Sequence, residues 1–137
     1  MPDDQQTLMS HPLFHHLAQA AARASQPSGT YDTALHMYDQ FCEAFQIPEA
    51  DRFPASFPLL HSFCLWATAD PDTVASLGPS AGSFPQEPIS ASKAREYLRA
   101  LRAWHVAQGW HDPLSKGDET RIEWSLRGVA NIQAGRR

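Results

Sequence analysis

No apolar run in this sequence approaches the ~20 residues that a membrane span requires. Its opening, Met1-Pro2-Asp3-Asp4, is acidic and polar, which does not fit a secretory or mitochondrial leader. Cysteine is scarce: Cys42 and Cys64 both fall on or beside apolar helical stripes, where a free thiol behaves as a small hydrophobe. That usage fits a reducing compartment inside the cell. The short signatures of metal, nucleotide and redox chemistry are missing too, with no CxxC, HExxH, P-loop or GxGxxG. Cations are nearly absent from the first two thirds, where residues 1–92 hold only Arg23 and Arg52 against ten carboxylates.

What is present is the material of one globular domain. The 137 residues can bury an apolar core without a disulfide or metal. An apolar content of 42% and a charged content of 19% are ordinary for a folded chain. The net charge of −4 hides a strong asymmetry, because residues 93–137 carry nine Lys or Arg against five carboxylates. A basic final third on an acidic chain points to a polyanion-facing surface, since screening limits surface charges to about 10 Å.

Helical periodicity runs through the chain, and no alternating strand pattern competes with it. From His11 to Ala24, apolar residues recur at Leu13, Phe14, Leu17, Ala20, Ala21 and Ala24, which predicts a peripheral leading helix. Tyr31 to Gln46 carries Tyr31, Ala34, Leu35, Tyr38, Phe41, Cys42 and Phe45 on one stripe, with Ser28 or Thr30 as N-cap and Pro48 as stop. After the turn Phe53-Pro54-Ala55-Ser56, the segment Phe57–Ala69 is apolar on nearly every side and is expected to be the central, most buried helix. Asp70–Ser90 reads as a loop of about twenty residues, longer than most connections. Ser90 then opens a helix with Ala94, Tyr97, Leu98, Leu101, Trp104 and His105 on one side and Arg95, Arg99, Arg102 and Val106 on the other. Gly109 suits its C′ position, with Trp110 folding back as the apolar contact. A last helix from about Asp118 turns Ile122, Leu126 and Val129 inward and Arg121, Glu123 and Arg127 outward.

Candidate catalytic groups are few. His11 and His15 have a permissible spacing for two metal ligands, but no third ligand is visible. A catalytic cysteine needs a thiolate stabilised by a cation or helix N-terminus, whereas Cys42 and Cys64 lie inside helices among aromatics. Tyr31, Tyr38 and Tyr97 are stripe residues. No catalytic residue, metal site or cofactor is therefore assigned. The arginine stripe remains, with Lys93 at its start: guanidinium groups bind phosphates in a fork, and an α-helix fits the DNA major groove. Internal pairing on a solvated face is the competing account of these residues.

Four segments together resemble one family. They are Tyr31-Asp-Thr-Ala-Leu-His-Met-Tyr-Asp-Gln-Phe-Cys42, Phe53-Pro-Ala-Ser56, the run Tyr97-Leu-Arg-Ala-Leu-Arg-Ala-Trp-His105, and Leu126-Arg-Gly-Val-Ala130. They look like the N-terminal core-binding domain of tyrosine recombinases, closest to the recombinase-like proteins of mushroom-forming fungi. The resemblance implies an all-α, SAM-like bundle of four to five short helices over 28–134. Residues 1–27 would form an N-terminal extension, and 135–137 the start of a linker to a catalytic domain. It implies a DNA-binding, non-enzymatic half-clamp acting in DNA recombination and integration in the nucleus, with the tyrosine nucleophile in the absent domain. Duplex DNA is the implied partner, joined by a recombinase catalytic domain or by self-association on DNA, with no membrane involved. Lys93, Arg95, Arg99, Arg102, Arg127, Arg136 and Arg137 are the implied DNA contacts. The other reading of the same bundle is a protein-interaction module that has lost DNA binding and docks a partner near Trp66, Trp104, Trp110 and Trp124.

Overall fold

The computed structural model describes residues 11–76, 78, 84, 85 and 87–135. These residues form seven helices: α1 (Pro12–Ala24), α2 (Thr30–Ala44), α3 (Glu49–Arg52), α4 (Phe57–Ala67), α5 (Pro71–Ala75), α6 (Ala91–Ala107) and α7 (Lys116–Gly135). The described residues contain no strand, and the fold is all-α. Five helices are substantial, and α3 and α5 are single turns that periodicity cannot detect. Part of the expected Asp70–Ser90 loop is thus helical. Asp70 caps α5 by accepting the Thr73 N–H at 3.1 Å.

Helix ends follow local chemistry. Neither Ser28 nor Thr30 caps α2; that place is held by Gly29 at φ 81°, a conformation that only glycine adopts without strain. The far end of α2 is stopped before Pro48. Gln46 takes a left-handed φ of 54°, and the Ile47 N–H reaches back to the Cys42 carbonyl at 2.9 Å. Ser90 caps α6 through its hydroxyl, and Ser115 and Asp118 cap α7 reciprocally. Gly109 has φ 94°, and Trp110 folds back so that its ring lies 5.7 Å from Trp104 and 5.8 Å from His105.

The centre of the bundle is α6, not the more apolar α4. Helix α6 packs against α1, α2, α4 and α7 and buries eight residues, among them Tyr97, Leu98, Leu101 and His105. Helix α4 buries Leu60, Phe63, Cys64, Trp66 and Ala67 but leaves Leu65 exposed. Hydrophobicity marked α4, whereas chain topology decides which helix has neighbours on several sides. The core is aromatic around Tyr38, whose ring meets Phe41, Phe53 and Phe63, and whose hydroxyl donates to the Arg52 carbonyl at 2.9 Å.

Three polar anchors fix this arrangement. Buried Arg52 donates to the Ile47 carbonyl, Asp39 and Glu43, holding α3 against α2. His105 is fully buried between α6 and the turn before α4. Its Nδ1 donates to the Leu101 carbonyl at 2.7 Å, and its Nε2 accepts the Ala55 N–H at 2.8 Å. Gln133 joins the end of α7 to the start of α6, accepting the Ala91 N–H and donating to the Ile89 carbonyl.

Helix α1 holds on by one edge. Ala22 packs with Tyr31 and Ala107, and Gln19 accepts the Tyr31 hydroxyl at 2.8 Å, while Leu13, Phe14 and Leu17 face solvent.

Candidate nucleic-acid interface

Helices α6 and α7 run antiparallel, which sets Arg95 and Arg102 of α6 opposite Glu123 and Glu119 of α7. Between them is a shallow groove of about 240 Å³, lined by Arg95, Leu98, Arg99, Arg102, Glu119 and Glu123. Of the predicted residues, Arg95, Arg99 and Arg102 line this groove and Lys93 and Arg127 do not, and the charges are not all available. Arg95 forms a fork on Glu123 with two contacts of 2.8 Å. Arg102 holds Asp112 at 2.9 and 2.6 Å and also donates to Glu119. Lys93 pairs with Glu96 at 3.1 Å along the helix surface and lies 5.6 Å from the centre of the Tyr97 ring.

The electrostatics follow from these pairs. Hydrogen bonding to Glu123 raises the Arg95 pKa, and the reciprocal contact holds Glu123 below the ordinary glutamate range. The Arg102 pKa is raised chiefly by its hydrogen bond to Asp112. For Asp112, burial pushes the pKa up, but the Arg102 contact and the Leu114 N–H outweigh it and the net shift is down.

Arg99 and Arg127 differ from their neighbours. Both are exposed, and no carboxylate lies in hydrogen-bonding contact with either among the described residues. Arg127 still acts on Glu123 through its charge. Arg136 and Arg137 lie outside the described residues. The pattern of residue types found the basic side. It could not reveal Glu119, Glu123 and Asp112 as partners, because those pairs cross from α6 to the next helix and its connecting loop.

The tryptophans separate as well. Trp66 is buried and Trp104 half-buried against Phe53, whereas Trp124 on α7 is 68% exposed. Near the far end of α7 lies an apolar hollow of about 430 Å³ between Leu65, Thr68, Pro71, Val129 and Ile132.

Other candidate chemistry is structural. Cys42 and Cys64 are buried and unpaired, and burial pushes the Cys64 thiol up to about 12. His61 shares a 2.8 Å hydrogen bond with Ser125 and stacks on Phe57, and burial lowers its pKa. His11 serves as the N-cap of α1. No three His, Cys, Asp or Glu side chains converge on a metal position among the described residues, and no described helix is long and apolar enough to cross a membrane.

No protein-family model, curated protein or solved structure matches this chain.

Proposed function

We propose that this chain is a DNA-binding helical module of the tyrosine-recombinase core-binding type, holding duplex DNA and supplying no catalytic residue. The observation that carries this reading is the cations of α6 and α7, with Arg99 on the groove between them and both Arg99 and Arg127 exposed and without a carboxylate in hydrogen-bonding contact among the described residues. Lys93 joins them at little cost, since an exposed pair such as Lys93–Glu96 is worth only about 0–1 kcal/mol. Arg95 and Arg102 have a different part: they are held by α7 and the preceding loop, and they set the spacing of the two helices. Their carboxylate partners also subtract from the local positive charge, so binding rests on about three phosphate contacts. With each contact releasing counterions, log K should fall against log salt with a slope of about −3. The affinity expected of such a surface is that of non-specific binding, ~10⁻⁴ to 10⁻⁶ M.

The test is fluorescence anisotropy with a labelled random-sequence duplex, titrated with salt. Salt-dependent binding that Arg99→Ala weakens, with the slope reduced by about one, supports the reading. No binding at low salt, or binding indifferent to Arg99 and Arg127, refutes it.

A second reading has its own support. The hollow between Leu65, Val129 and Ile132, with Ile132 55% exposed, favours a helical protein-interaction module. Pull-down of a partner that Ile132→Asp abolishes and Arg99→Ala leaves intact would select it.

A further inference from the structure

The outward surface of α7 carries a largely exposed tryptophan. Trp124 stands at its centre, 68% exposed and without a described ring partner. At 3.6 residues per turn, Arg121 and Arg127 lie about 60° to either side of it, one turn before and one turn after. The same strip carries Thr120, Gly128 and Asn131, all exposed, and no carboxylate. Glu119 and Glu123 point away, engaged with Arg102 and Arg95. Gly128 follows Trp124 by one turn and puts no side chain beside the indole; even a Cβ there would meet nothing within 4 Å.

Each feature bears on what could cover the ring. A protein partner that buries tryptophan usually meets further apolar residues around it. Here the immediate neighbours are arginine, glycine, threonine and asparagine. The nearest exposed aliphatic on the helix, Ile132, lies two turns away and lines the separate hollow. A flat aromatic surface flanked by cations, with the neighbouring carboxylate of Glu123 turned to Arg95, has the chemistry that binds nucleobases, by stacking on the ring and ion-pairing with the flanking phosphates. Arg121 rests over the Phe57 ring at 4.2 Å, which positions its guanidinium without neutralising it. Arg127 follows Leu126 and lies one turn beyond Glu123, both of which line the groove between α6 and α7.

We infer that the outer face of α7 binds unpaired nucleic acid, with a base stacked on Trp124 and its neighbouring phosphates held by Arg121 and Arg127. This rests on the reading of the α6–α7 side as a nucleic-acid surface and adds single-stranded segments to the duplex. A module of this form would grip duplex with α6 and an adjoining unpaired segment with α7, as at a strand end or an opened region.

The experiment compares a fluorescein-labelled fifteen-nucleotide thymidine strand with a duplex of equal length, for wild type, Trp124→Ala and Trp124→Phe. Because Trp124 touches little of the core, the variants should keep wild-type circular dichroism and melting. The expected result is single-strand binding that Trp124→Ala weakens roughly 5- to 150-fold, the range of one stacked base. Trp124→Phe should recover most of it, and duplex affinity should change less than about twofold. Absence of single-strand binding, or single-strand affinity unchanged by Trp124→Ala, overturns the inference. So does an equal loss for duplex and single strand. Duplex binding that depends on Arg99 beside a failed single-strand assay would leave the duplex reading standing. Trp124-dependent single-strand binding without duplex binding would refute the duplex reading alone.

Discussion

Acid should weaken this fold through His105. The Leu101 carbonyl can only accept, so Nδ1 carries the ring proton, and Nε2 is the acceptor for the Ala55 N–H. Protonating Nε2 would set one N–H against another inside the core and place a charge there. Burial accordingly lowers the His105 pKa from the usual 6.5, outweighing the raising influence of the Leu101 bond and Asp112. The sign follows from linkage. Between the lowered folded value and 6.5 the unfolded chain binds the proton and the folded chain does not, so stability is full above about pH 6.5 and declines as pH drops. One such proton costs up to about 1.4 kcal/mol per pH unit. At pH 5.5 the loss attributable to His105 is therefore bounded at about 1.4 kcal/mol. His61, also lowered by burial, adds a second contribution of the same sign. Urea unfolding at pH 7.5, 6.5 and 5.5 for wild type and His105→Gln separates the two. The glutamine can accept the Ala55 N–H but does not titrate, so its pH slope should shrink to the part due to other histidines. Equal slopes for both proteins would refute the reasoning.

Arg102→Met keeps the side-chain stem but strands Asp112 and Glu119, and should cost about 1–2 kcal/mol in urea unfolding. Arg99→Ala should leave the thermal midpoint unchanged while weakening DNA binding; the opposite ranking would exchange the roles assigned to these arginines. Cys42 and Cys64 should resist a thiol reagent in the native protein and react together on unfolding, because both are buried with raised pKa values. Rapid native labelling of either one, read by mass spectrometry, would contradict that burial.

Periodicity located the five substantial helices because each repeats apolar residues over several turns. The segment Tyr31–Gln46 and the last helix from about Asp118 come within a few residues of Thr30–Ala44 and Lys116–Gly135. The single turns Glu49–Arg52 and Pro71–Ala75 escaped, being too short to show a period. Leu13, Phe14 and Leu17 identified α1 as a helix but not its orientation: the bundle takes the edge bearing Ala22 and leaves the larger residues outside. The basic side was legible from the spacing of Arg95, Arg99 and Arg102. Their unequal availability was not, because it depends on which carboxylates the antiparallel return of α7 brings opposite them. Trp124 was visible as one of four tryptophans, and only the packing separates it from buried Trp66.

The side-chain amide of Gln133 has a mechanical consequence. It closes one end of the α6–α7 pair on the Ile89 carbonyl and the Ala91 N–H, while Arg102, through Asp112 and Glu119, closes the other. Contacts at both ends of the pair oppose sliding and rolling of one helix past the other. A movement of α7 relative to α6 would have to break the Gln133 contacts at one end or the Arg102 contacts at the other, so these contacts favour the two helices turning together.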